Sequence, residues 1–122
     1  MPVEKEQIKL GVLVIGGLPT ATRKVTIASG EGVLKRGAVI GQVTADKKYK
    51  LALAASADGS EDPRLILAHD VDATAADVTD VDAYSMGEFN SNEMTFGTGV
   101  TAAAFETACD EADRPIFIKT PV

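Results

Sequence analysis

Val25-Thr-Ile-Ala-Ser-Gly-Glu-Gly-Val-Leu-Lys-Arg-Gly-Ala-Val-Ile-Gly41 is a set of short apolar runs cut by glycines. Val25 and Ile27 share one face of an extended run, since alternate residues of a strand point the same way. Ser29–Gly32 and Lys35–Gly37 read as turns, because glycine reaches backbone angles that other residues avoid. Ala38–Thr44 reads as the next strand. Strands this short, divided this often, describe a small all-β scaffold suited to binding other proteins.

The reading extends in both directions. Residues 1–9 are charged and unpatterned, and residues 1–20 are expected to form a mobile N-terminal arm ahead of a single β-rich domain over 21–122. Within Gly11–Pro19 a strand is expected, then a turn at Gly16-Gly17. Downstream, Ala45–Lys48 is a turn, and Tyr49–Leu53 alternates with Tyr49, Leu51 and Leu53 on one side. Ser56–Pro63 is a polar loop and Leu65–Ala68 a buried strand. Ala73–Thr79 is ambiguous between helix and turn. Val81–Met86 is a strand that Gly87 is expected to close, and Asn90–Glu93 is turn-like. One helix stands out at Ala102–Ala112, with Phe105, Ala108, Cys109 and Ala112 on one face and Thr101 as N-cap. Asp110 and Glu111 sit at its C-terminal end, where they oppose the helix dipole. Pro115 bars continuation, and Ile116–Lys119 is a last strand.

With 122 residues and aromatics at only 5%, the chain makes one domain with a thin core. Self-association is the expected supplement. The net charge of −6 argues against nucleic acid as a partner. That charge is uneven. Nine bases (Lys5, Lys9, Arg23, Lys24, Lys35, Arg36, Lys47, Lys48 and Lys50) precede residue 51, whereas from Asp58 to Glu88 Arg64 is the one strong base. Such a dipole favours docking between copies or onto a partner, or else marks solvated faces. A single cysteine, Cys109, makes no internal disulfide and implies a reducing site of synthesis. Met1–Glu6 lacks the pattern of a signal peptide. Leu10–Leu18 is too short for a membrane span, which needs about 20 residues, so no membrane partner is expected.

Catalytic readings fail on the residues themselves. Gly11-Val-Leu-Val-Ile-Gly16 has phosphate-loop spacing but lacks the lysine and hydroxyl that follow. Gly30-Glu-Gly32 lacks a third glycine, since residue 35 is lysine. Asp70-Val-Asp-Ala-Thr-Ala-Ala-Asp77 departs from a calcium loop at Thr74, Ala75 and Val81, so its acids are expected to cap turns. His69, the one histidine, has no nucleophile motif beside it. One histidine and one cysteine are too few for a structural zinc site. Lys47-Lys48-Tyr49-Lys50 resembles a nucleic-acid patch in miniature, on an acidic protein without a second such segment. Neither an enzyme nor any cofactor or metal is expected.

Taken in order, Gly32-Val-Leu-Lys-Arg-Gly-Ala-Val-Ile-Gly41, Ile66-Leu-Ala-His-Asp-Val-Asp-Ala-Thr74, Gly87-Glu-Phe-Asn90 and Arg114-Pro-Ile-Phe-Ile118 resemble the head-decoration proteins of lambda-like tailed bacteriophages. Residues 1–20 carry the resemblance less clearly. It implies a mainly β fold with one short C-terminal helix, a β-clip-like bent ribbon forming a small incomplete barrel. It also implies a homotrimer at local three-fold sites on the outer surface of an expanded phage head. There the protein, made in the host cytoplasm, would clamp the major capsid protein against the pressure of packaged DNA. The N-terminal arm would bind the capsid through Ile8, Leu10, Val12 and Val14, as a strand added to a capsid edge. Deleting residues 1–15 is expected to leave the domain folded but to weaken capsid attachment. The competing reading, from a different class, is a β-clip module for a sugar or small anion, with Tyr49, Tyr84 and His69 as its only obvious ligand groups.

Overall fold

The computed structural model describes residues 13–15 and 19–119. Nine strands and one helix follow in order: β1 (Val14–Ile15), β2 (Ala21–Ile27), β3 (Gly32–Leu34), β4 (Val39–Gln42), β5 (Tyr49–Leu51), β6 (Pro63–Leu67), β7 (Val71–Ala73), β8 (Val78–Asn90), α1 (Ala102–Glu111) and β9 (Ile116–Lys119). A 3-10 turn, Ser91–Glu93, separates β8 from the loop that leads to α1.

Five strands close into a small barrel in the order β8-β2-β5-β4-β6, with β6 returning to β8. Closure is weakest between β2 and β5, where a single parallel register pair, Ile27 with Tyr49, joins the two. The mainly β, barrel-like expectation holds. β3 and β7 form a separate two-stranded sheet, Gly32 opposite Ala73 and Leu34 opposite Val71. The ambiguous Ala73–Thr79 segment is therefore no helix. Ala73 ends β7, Val78 and Thr79 open β8, and residues 74–77 are the bend between them.

Two cores explain why certain runs are apolar without alternation. Leu65 and Leu67 of β6 point into the barrel with Val25, Ile27, Ile40, Tyr49, Val81 and Ala83. Ile66, between them, points outward, as does Val39 of β4, into a second core with Leu13, Phe89, Phe105, Cys109 and Ile116. A strand covered on both faces has no solvent side, so it reads as a continuous hydrophobic stretch. α1 is what covers the outer face. Thr101 caps it, its Oγ1 accepting from the Ala104 N–H at 3.1 Å, and Phe105 and Cys109, one turn apart, are its buried side chains. Of the expected apolar face, Ala112 is exposed, because the helix has ended at Glu111.

Two glycines hold this arrangement in place. Gly41, inside β4, passes under the loop at residues 58–62; a Cβ there would run into the Ser60 carbonyl and lie 2.7 Å from that of Asp62. Gly87 adopts φ +144°, which side chains rarely allow. Here the expectation is corrected: Gly87 does not close the strand. β8 bends there and continues to Asn90, because new partners wait on both sides. Val14 lies opposite Phe89 on one side, and Ile116 opposite Gly87 on the other. The Gly87 N–H is satisfied by the Pro115 carbonyl at 3.0 Å.

Leu13 to Ile15 thus belong to the folded body. Leu13 and Ile15 are buried at 2% and 5% exposure, and the Leu13 carbonyl accepts from the Asn90 N–H at 2.8 Å.

Candidate functional site

The root of the N-terminal segment is the first place to look. Of the four residues expected to meet a partner, Val14 lies in β1, partly buried against the second core. Ile8, Leu10 and Val12 lie outside the described residues. β1 ends the strand order, so its outer edge carries no strand among the described residues. An unpaired edge is a template for a strand from another chain. The parity signal for this seat was present in the sequence: Leu13 and Ile15 alternate with Val12 and Val14, and the odd pair faces inward.

The charge pattern resolves differently from a free dipole. Four early bases pair with four later acids within the chain. Lys24 meets Asp82 at 2.7 Å, Lys48 meets Asp77 at 2.6 Å, Lys50 meets Asp58 at 3.2 Å, and Lys35 meets Asp70 at 3.8 Å. The hydrogen bond to Asp82 raises the Lys24 ammonium above its ordinary range, and the bond to Asp77 does the same for Lys48. Their carboxylate partners are correspondingly lowered, each chiefly through the bond to its lysine. Exposed pairs of this kind add little stability. Their effect is to use up much of the charge that a partner would otherwise meet.

The acids of Asp70–Asp77 do cap turns. Asp72 accepts from the Thr74 hydroxyl at 2.6 Å and the Thr74 N–H at 3.1 Å, which lowers its carboxyl below the ordinary value. Asp77 also accepts from the Ser29 N–H at 2.8 Å, and Asp70 from that of Arg36 at 2.8 Å. Among the described residues no group of three or more His, Cys, Asp or Glu is placed to hold a metal ion.

The residues of the ligand-module reading are scattered. Tyr49 is 3% exposed and packs inside the barrel. Tyr84 sits on the outer face, its ring 5.2 Å from that of Phe89. Arg36 lies over the Tyr84 ring at 5.9 Å and donates to its hydroxyl at 3.1 Å. His69 bridges two backbone segments: Nε2 accepts from the Asp82 N–H at 3.2 Å, which leaves Nδ1 to donate to the Asp70 carbonyl at 3.2 Å. Tyr49 borders a cleft of about 280 Å³ between β2, β8 and the β4–β5 turn. The Lys47–Lys50 group is likewise dispersed, Lys48 and Lys50 into ion pairs and Tyr49 into the core.

Cys109 is buried, and burial pushes its thiol up to about 11, so it is packing material rather than a nucleophile. Among the described residues three large apolar side chains stay in solvent: Val33 on β3, Leu53 after β5 and Phe117 on β9. The described surface thus offers an open strand edge and isolated apolar contacts.

The family model for the bacteriophage lambda head decoration protein D matches residues 4–114. The chain belongs to that family. The match includes the segment before β1 as well as the barrel and α1, and ends just before β9. A search among curated proteins finds no significant match. A head decoration protein is a structural component of the phage particle and associates with its capsid.

Proposed function

We propose that this head decoration protein is a cement. It binds the expanded head as a homotrimer at local three-fold sites on the outer surface, after synthesis in the host cytoplasm. It stabilises the shell against the pressure of packaged DNA, and it does so without catalysis, cofactor or metal. The family match over residues 4–114 carries this reading. Its physical support is the placement of β1. The outer edge of β1 carries no strand among the described residues, and its root is locked by Leu13 and Ile15.

The N-terminal arm is the capsid-binding element in this reading. Ile8, Leu10, Val12 and Val14 alternate in sequence, so a strand continuing β1 backwards sets them on one face. That face, or its backbone edge, is what a capsid strand would pair with. One arm binds weakly, because ordering a segment costs free energy. Three arms on one trimer act together, and the second and third attachments become intramolecular.

Cosedimentation with expanded, undecorated heads tests the reading. The full chain is expected to pellet with heads and saturate at three copies per local three-fold site. A chain lacking residues 1–12 is expected to stay largely in the supernatant. Saturation by the shortened chain at the same concentration would remove the arm from the account.

A further inference from the structure

The acids at the end of α1 break a local rule. Asp110 and Glu111 sit in the last turn, where the helix dipole disfavours negative charge, and Asp113 follows. All three are exposed, and none has a cationic partner among the described residues. The adjacent base, Arg114, turns instead to the Pro63 carbonyl at 3.3 Å. Asp113 is also held at φ +56°, an uncommon conformation for a non-glycine residue. A protein that departs from local preference without a local return is usually serving a contact elsewhere.

The matching surface lies at the other end of β8. The cleft of about 280 Å³ is lined by three bases, Arg23, Lys24 and Lys47, and one acid, Asp80, with Thr26 and Thr79 beside them. Lys24 is held by Asp82, but Arg23 and Lys47 have no carboxylate within ion-pair distance among the described residues. Lys47 and Asp80, both bordering the cleft, are the other two non-glycine residues with positive φ among the described residues. On a chain of net charge −6, a cleft lined by three bases and one acid, two of the bases outside any ion pair among the described residues, carries local positive charge.

The two surfaces cannot meet within one molecule. The cleft is at the start of β8, beside Thr79 and Asp80, whereas the helix end leads into Ile116 opposite Gly87. The stretch of strand between them spans ~20 Å at the usual rise per residue. They can meet between copies. We infer that the acidic turn Asp110–Asp113 of one copy docks in the Arg23/Lys24/Lys47 cleft of the next. This contact is head-to-tail, and such contacts form closed rings when the rotation allows. The inference rests on the homotrimer proposed above and names the faces that build it.

Charge reversal on the full chain tests it, read as the concentration needed to half-saturate expanded heads and as trimers captured there by cross-linking. Arg23→Glu with Lys47→Glu, or Asp110→Lys with Asp113→Lys, is expected to weaken half-saturation by about tenfold or more. Both pairs of changes in one chain restore complementarity, and binding is expected to return to within about threefold of the original. The pair Lys47→Cys and Asp113→Cys in one chain probes the same contact without reversing charge, and oxidation on heads is expected to yield covalent dimers and trimers. Reversals without effect, no recovery in the combined chain, or monomers only after oxidation would each overturn the inference. If the unaltered chain forms trimers while the variants behave identically, only this pairing of faces falls. If the unaltered chain coats heads as monomers, the trimer falls with it.

Discussion

Cutting the chain after residue 12 and cutting it after residue 15 should give two very different proteins. Residues 13–15 look like arm in the sequence, yet Leu13 and Ile15 are core residues at 2% and 5% exposure. Removing a buried Leu or Ile side chain costs about 2–5 kcal/mol, including the cavity left behind. Two such losses come to ~4–10 kcal/mol before any relaxation. The cut also takes away the Leu13 carbonyl that accepts from Asn90, a residue with 0% exposure. Leaving that N–H unpaired adds about 1–3 kcal/mol. A domain of this size has a total stability of about 5–15 kcal/mol, so the longer cut removes a large share of it. Urea unfolding followed by far-ultraviolet circular dichroism reads the difference. With a slope of about 1–3 kcal/mol per molar, the midpoint of the 16–122 chain should fall at least ~1.5 M below that of the 13–122 chain. The 13–122 chain should match the full chain in midpoint and differ from it in head binding. Equal midpoints for the two truncations would refute the placement of β1 in the core, and with it the idea of a rigidly rooted arm.

Other outcomes follow from single residues. Phe105→Ala should cost ~3–5 kcal/mol, because Phe105 is fully buried and fastens α1 to the outer core; thermal melting checks it. Gly87→Ala forces a side chain onto φ +144° with its Cβ 3.0 Å from Phe89 and Thr20, and should lower the melting temperature by about 5–15 °C. Asp58 is held down to about 2, first by the Ser60 hydroxyl, then by the Ser60 N–H, with Lys50 contributing. A carboxyl lowered in the folded state stabilises above its unfolded value and loses that effect as pH falls. The melting difference between the protein and Asp58→Asn should therefore be constant above about pH 5 and shrink between about pH 4 and pH 2. Cys109, raised to about 11 by burial, should resist a thiol reagent at pH 8 and react fully once the chain is unfolded.

Much of the fold was legible because its signals are local. Thr101, Phe105, Cys109 and Pro115 mark a helix and its ends by rules that act within two turns. Gly30 and Gly37 mark turns for the same reason, each with positive φ, and Gly32, also with positive φ, opens β3. What escaped was non-local. Gly87 reads as a stop, but pairing with β1 and β9 carries the strand through it, and those partners lie far away in sequence. The bend at residues 74–77 is tied by Ser29 and Lys48 to Asp77, contacts that no short window contains. The arm boundary failed to show because burial of Leu13 depends on Phe89, Phe105 and Ile116 being assembled first.

The candidate site was legible in kind and less so in detail. The absence of any nucleophile motif or ligand cluster in the sequence turned attention to surfaces. The excess of early bases and later acids also pointed outward, but folding joins four of these bases to four of these acids. Among the described residues Arg23 and Lys47 are two of the early bases outside these pairs, and Asp110 and Asp113 are acids further along the chain without an ion pair, which shows only once the pairs are assigned.

Retention of DNA by filled heads under heat tests the cement function most directly. Heads lacking this protein, then supplied with it, should hold their DNA to a temperature several degrees higher, and only when the supplied chain includes residues 1–12. Heads that release DNA at the same temperature with and without saturating protein would contradict the account.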